Sequence, residues 1–275
     1  MSSLPFVLRR LPASLSEKFF YRYLCGRAFA KDKSITVDLK FYDQLVSFTV
    51  VPGDVIGDSL YYIGFYERKT TKELVSIASR DGGLFVDVGA NIGYYSVLWT
   101  KAKKENRCIA IEASPRNIDL LRSNLELNCV TQSCEVLPIA ASNQGGMVSF
   151  DQGPESQTGW GGISHGVGSG SRVIEVRCMP LDDILPVGRP IRLLKIDVEG
   201  AEALVLEGMQ RLLSTRQVQE IWFEDNSERR EMLGLSFESV INALETNAYC
   251  VFRNSAKSRL PMDFVALPHR LIGSE

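Results

Sequence analysis

Leu84-Phe-Val-Asp-Val-Gly-Ala-Asn-Ile-Gly-Tyr-Tyr-Ser96 decides the fold. Its first half is an apolar run (Leu84, Phe85, Val86, Val88), short enough for a buried strand. Gly89 and Gly93 then make a turn, and Ile92, Tyr95, Ser96 and Trp99 set a helical period. Strand, tight turn and helix in that order form the first crossover of a nucleotide-type α/β sheet. The glycines let the backbone bend sharply and approach a ligand, and the amides of the new helix are expected to point at it. The spacing is G-x-x-x-G. No Lys-Ser/Thr follows to hold a triphosphate, and the G-x-G-x-x-G that cradles a pyrophosphate is absent.

Asp87 sits beside the turn, where it would repel a phosphate and welcome an ammonium group. A ligand with both an amino group and a carboxylate suits the acid and the helix start together, and S-adenosylmethionine is such a ligand. A second acid supports this reading. Arg107-Cys-Ile-Ala-Ile-Glu112 reads as a strand ending in a carboxylate, where adenosine cofactors present two ribose hydroxyls. The helix that follows is expected to start with Ser114 as N-cap and Pro115 at its first position, with Ile118, Leu121 and Leu125 as its apolar stripe.

The segments F-V-D-V-G-A-N-I-G-Y-Y-S (85–96), I-E-A-S-P (111–115) and L-L-K-I-D-V-E-G-A-E-A-L-V-L-E-G-M (193–209) resemble the FkbM family of S-adenosylmethionine-dependent methyltransferases. The likeness runs in order from about Phe41 to the end, and the last motif is the most specific. It implies the α/β fold of class I methyltransferases. That fold is a Rossmann-like, mostly parallel seven-stranded sheet with helices on both faces. Here it would form a domain of residues 71–275 after an N-terminal helical and hairpin extension, residues 1–70. The likeness implies O-methylation of a sugar or natural-product hydroxyl. It also implies a cofactor site of Asp87, Gly89, Asn91, Gly93, Glu112, Ala113, Ala140, Ala141 and Asp197, with Ala140 and Ala141 beside the adenine ring.

Bulk composition agrees with one α/β domain plus an addition. The chain has 275 residues, 45% hydrophobic and 23% charged, with a net charge of −2. That balance argues against a nucleic-acid partner. The six cysteines form no C-x-x-C pair and read as reduced thiols, so the expectation is a cytoplasmic protein. No run is long enough to span a bilayer, and a homo-oligomer is compatible with the sequence. Residues 1–34 read as helical with an aromatic and basic cluster, Lys18-Phe-Phe-Tyr-Arg-Tyr-Leu24. Residues 35–51 alternate as a hairpin, and a helix over Thr71–Ser79 leads into the first sheet strand. Later strands are expected at Cys134–Ala141, Met147–Phe150, Ile191–Asp197 and Val218–Glu224. A helix over Phe237–Thr246 then precedes a closing pair, Tyr249–Arg253 and Asp263–Leu267. Asp151–Arg172, rich in glycine, reads as a substrate lid gripping through Trp160 and His165.

Ligands in such sheets bind outside the carboxyl ends of the strands, where Asp87, Glu112, Asp197 and Glu224-Asp225-Asn226 fall. Methyl transfer to a hydroxyl needs in-line alignment and removal of a proton. Two arrangements could remove it. A general base could act, with Asp197, Glu199 or His165 as candidates. Alternatively Mg²⁺ on Asp197, Asp225 and Asn226 could lower the pKa of the hydroxyl. An N-methyltransferase is disfavoured because D-V-E-G stands where an Asp/Asn-Pro-Pro-Tyr/Phe clamp would be. A nicotinamide-dependent oxidoreductase is disfavoured by the missing G-x-G-x-x-G.

Overall fold

In chain order the strands are β1 (Ile35–Phe41), β2 (Gln44–Val50), β3 (Leu84–Val88), β4 (Arg107–Ile111), β5 (Cys134–Leu137), β6 (Ala140–Ala141), β7 (Gly146–Asp151), β8 (Gly162–Ile163), β9 (Val173–Met179), β10 (Leu193–Ile196), β11 (Ile221–Phe223), β12 (Tyr249–Arg253) and β13 (Phe264–Pro268). The computed structural model describes residues 4–28, 34–41, 44–164, 173–254 and 262–271. Seven strands form the main sheet in the order β12-β13-β11-β10-β3-β4-β5. All pairings from β11 to β5 are parallel, and β13 runs antiparallel between β11 and β12.

Every residue of β3 is buried, because it has a strand on each edge and helices over each face. The pleat sends alternate side chains to opposite faces. Phe85 joins one core with Leu74, Ile77, Trp99 and Leu121, from the helices Arg68–Arg80, Tyr94–Ala102 and Pro115–Leu127. Leu84, Val86 and Val88 join the other with Leu206, Met209, Leu212 and Val240. Asp87 therefore shares a face with Phe85. Its parallel partner on β10 is Lys195.

The hairpin β1–β2 belongs to the first of these cores, through Val37, Leu39, Val46, Phe48 and Val50. Asn124 ties it down: its side chain accepts from the Thr49 amide at 2.7 Å and donates to the Thr49 and Ile92 carbonyls at 3.3 and 2.9 Å. Removing that amide would strand buried backbone groups on two elements. Asn124→Ala is expected to cost about 3 kcal/mol, read as a lower urea midpoint at unchanged slope. An unchanged midpoint would show that the tie is dispensable.

Two expectations need correction. Cys134–Ala141 is not one strand. Pro138 has no N–H to donate, so the ladder stops at Leu137, and Ala140–Ala141 turns away to pair with β9. Met147–Phe150 likewise leaves the main sheet. It forms, with β6, β8 and β9, a second sheet of order β6-β9-β7-β8. The strand β9 was missed in the sequence although its alternation is plain there: Val176 and Cys178 are buried, Glu175 and Arg177 exposed.

Candidate active site

A cleft lies over the carboxyl ends of β3, β4, β10 and β11, walled by Asp54–Ile56, Tyr66, Ile139–Ala141 and Gln157–Gly161. Of the residues expected from sequence, Gly89, Asn91, Glu112, Ala113, Ala140, Ala141, Asp197 and Glu199 line it. His165 lies outside the described residues. Asp87 and Gly93 are not among the lining residues, and both expectations of direct contact change accordingly. Asp87 is 1% exposed and points to the helix-covered face, accepting from the Ser96 hydroxyl at 2.7 Å. Burial raises its pKa, opposed by the Lys195 charge. Its cation is thus a side chain of the protein. Gly93 shapes the turn: it caps the helix at φ +81°, and a Cβ there would strike Leu121.

The turn amides are engaged within the protein. Gly89 and Ala90 donate to the Ile111 carbonyl at 2.9 and 3.0 Å, and Asn91 donates to Glu112 Oε2 at 2.7 Å. Glu112 Oε1 accepts from the Ser114 amide at 2.8 Å. The Ala113 amide is a third donor to this carboxylate, which leaves it one lone pair for a ligand hydroxyl. Two further acceptors in the cleft, Asn91 Oδ1 and Asn117 Oδ1, are buried without a hydrogen-bond partner among the described residues. Asn91 is held at φ +50° and Glu199 at φ +55°, strained for side-chain-bearing residues and both at the cleft.

The acid end is the cleft's most unusual part. Asp197 Oδ2 accepts from Lys195 Nζ at 2.9 Å, and Lys195 is 2% exposed. Burial alone would lower the lysine's pKa, but Asp197 and Asp87 outweigh it and raise it, so the ammonium stays charged. Glu224 stands at the neighbouring strand end, its amide donating to the Ile196 carbonyl at 3.3 Å. The Asp197 charge, then burial and Glu67, push Glu224 up to about 9. Glu67, at φ +41°, accepts from the Tyr95 hydroxyl at 2.6 Å and also bonds Tyr66; both tyrosines line the cleft. Burial raises the Glu67 pKa. Asp87, Glu67, Asp197 and Glu224 thus gather about one buried lysine.

The metal expectation meets a donor set that does not fit. Asp225 is bound by Arg230 at 2.7 Å, Asp197 by Lys195, and the Asn226 amide donates to Glu199 Oε2 at 2.7 Å. Among the described residues no group of three or more His, Cys, Asp or Glu is placed to hold an ion.

The expected lid is a pinned wall where it is described. Asp54 accepts from the Thr158 amide at 2.8 Å, Arg116 donates to the carbonyls of Gln152, Pro154 and Gln157, and Asn117 donates to Thr158. Arg229 donates to the Trp160 carbonyl at 2.7 Å. Four side chains from elsewhere in the fold therefore hold this segment, and Trp160 forms part of the cleft edge. Residues 165–172 lie outside the described part. Tyr66, Asn117 and Lys195 were not assigned to the site from sequence, and Glu224 was placed there by its strand end without a role of its own.

The strand order, the single antiparallel strand and the cleft position define a class I methyltransferase fold, α/β with helices on both faces of the sheet. Residues 87–253 match the methyltransferase FkbM domain, and the chain belongs to that family. It is 29% identical over 175 residues to methyltransferase sdnD of Sordaria araneosa, covering 52% of this chain and 67% of that protein. Among solved structures it is similar to the O-methyltransferase TomG of Streptomyces achromogenes, determined in complex with SAM (TM-score 0.43, 10% identity, 74% of this chain and 81% of that one). Another is SAH-bound PaMTH1 of Podospora anserina (TM-score 0.40, 12% identity, 71% and 75%).

Proposed function

We propose that the chain is an S-adenosylmethionine-dependent O-methyltransferase that methylates a hydroxyl of a sugar or natural-product small molecule. The observation that carries this reading is the acid excess around Lys195, at the bottom of a cleft whose other end is small and apolar. S-adenosylmethionine supplies a methyl group on a positively charged sulfonium and carries an ammonium group as well. Ala113, Ala140, Ala141 and Ile139 leave room for a flat ring. Glu112 has a remaining lone pair for a ribose hydroxyl, and Asn91 Oδ1 offers an acceptor to an ammonium.

The acceptor hydroxyl must lose a proton as it is methylated. Glu224 carries a proton beside Asp197, because the Asp197 charge and then burial oppose its ionisation. A positive charge brought beside them relieves that repulsion and lowers the Glu224 pKa. Glu224 then releases its proton and stands ready, as a carboxylate, to take one from the acceptor. Lys195 donates to Asp197 Oδ2 and holds that carboxylate in place throughout.

The test is calorimetric titration with S-adenosylmethionine, S-adenosylhomocysteine and NADH. The first two are expected to bind and NADH is not. Glu224 holds its proton below about pH 9, so binding a cation must expel it. Affinity for the cationic donor should therefore rise with pH toward about 9, with proton release seen as a buffer-dependent heat. The neutral thioether product should show a smaller pH dependence. Binding of NADH alone would overturn the reading, and equal pH dependence for the two sulfur ligands would remove Glu224 from it.

A further inference from the structure

The N-terminal helices Leu4–Leu8 and Ala13–Tyr23 have two apolar sides. The inner side is spent: Leu8 and Phe20 are buried against Tyr62 and Ile63. A surface helix normally turns polar residues outward. Here Phe6, Val7, Leu11, Leu15, Phe19 and Tyr23 are exposed instead, Phe6 by 59% and Leu15 by 55%. Leu15, Phe19 and Tyr23 recur every fourth residue and make one stripe, with the Phe19 and Tyr23 rings 5.0 Å apart. Lys18 and Arg22 form the stripe beside it. The Arg10 guanidinium lies 3.7 Å over the Phe6 ring.

Charge on this segment is the reverse of the whole chain's. Residues 4–28 hold Arg9, Arg10, Lys18, Arg22 and Arg27 against Glu17 alone, while the full chain has 31 basic and 33 acidic residues. Arg9 is engaged inward with the Leu60 and Tyr61 carbonyls, which leaves the other basic side chains for the outer face. An aromatic and aliphatic stripe flanked by cations fits the boundary of an anionic bilayer, where the rings sit at headgroup depth and the cations meet lipid phosphates and carboxylates. A two-fold contact with a second copy fits less well, because it would set Arg10, Lys18 and Arg22 against their own kind. No helix among the described residues is long and apolar enough to cross a membrane.

We propose that these two helices dock the protein on the surface of a bilayer rich in anionic phospholipid. The experiment is co-sedimentation of the full 275-residue chain with vesicles of phosphatidylcholine alone or with about one-third phosphatidylserine, at low and high salt. Binding is expected to the anionic vesicles and to fall as salt rises. The double variant Lys18→Gln/Arg22→Gln should weaken it about 25-fold, at about fivefold per cation near the surface. Leu15→Ser/Phe19→Ser should weaken it while leaving unfolding temperature and S-adenosylhomocysteine binding unchanged, since both side chains face outward. Failure to bind anionic vesicles, or binding that neither variant weakens, would overturn the proposal. So would light scattering that shows a dimer broken by Phe19→Ser without vesicle binding, which would assign the stripe to a second copy.

Discussion

Gly89→Ala is expected to abolish binding of S-adenosylhomocysteine and to cost the fold about 4 kcal/mol or more. The added Cβ would lie 1.8 Å from the Asp197 carbonyl oxygen and 2.9 Å from its carbon. Both are backbone atoms, so no side chain can swing aside. Gly89 also sits at φ +77°, where an L side chain is strained even in open space. Relief requires the end of β3 to move away from the end of β10. That movement would break the bond from the Asp197 amide to the Val88 carbonyl, now 3.0 Å, and shift Asp197 itself. Thermal unfolding and calorimetric titration read the two effects separately. A variant that melts normally and binds normally would show that this close approach does not organise the cleft.

That close approach also marks how far a sequence can be read. The apolar run, the turn and the helix of 84–102 are local signals, and each has its own physical cause. The helix Phe237–Thr246 and strand Tyr249–Arg253 fall where periodicity puts them. Pro138 is a local signal too, and it marks the end of β5 inside a run whose apolar character alone suggests a longer strand. Asp87 is also partly legible: it lies two residues after Phe85, so it must share that side chain's face of the sheet. What could not be read is the partner across the sheet. Lys195 meets Asp87 only because β10 and β3 pair in one register, and nothing local to either strand encodes that. The same holds for Glu67, Asp197 and Glu224, which come from distant parts of the chain. Acids at strand ends are visible in the sequence, and a metal is one way to use them. The fold instead hands Asp225 to Arg230, Asn226 to Glu199 and Asp197 to Lys195.

Asp197→Asn should leave the fold and cofactor binding largely intact and lower turnover by about 10²-fold, within the range of general-base effects. The shape of the pH profile separates a proton-transfer role from a merely structural one. The Asp197 charge is the largest cause of Glu224's displacement to about 9. Without it, Glu224 ionises at lower pH and is a weaker base when it does. The acid limb of kcat/KM, which reports the free protein, should therefore move toward lower pH, while the maximal rate falls. Glu224→Gln should lower turnover by a similar factor, and it should erase that limb together with the proton released on donor binding. Lys195 remains beside Asp87 in both variants, and the amide oxygen introduced by Asp197→Asn can still accept from it, so neither change strands the buried ammonium. A limb that stays in place in Asp197→Asn would break the coupling between the two acids. Full turnover in both variants would remove them from proton transfer and leave their charge only the task of holding a cationic ligand.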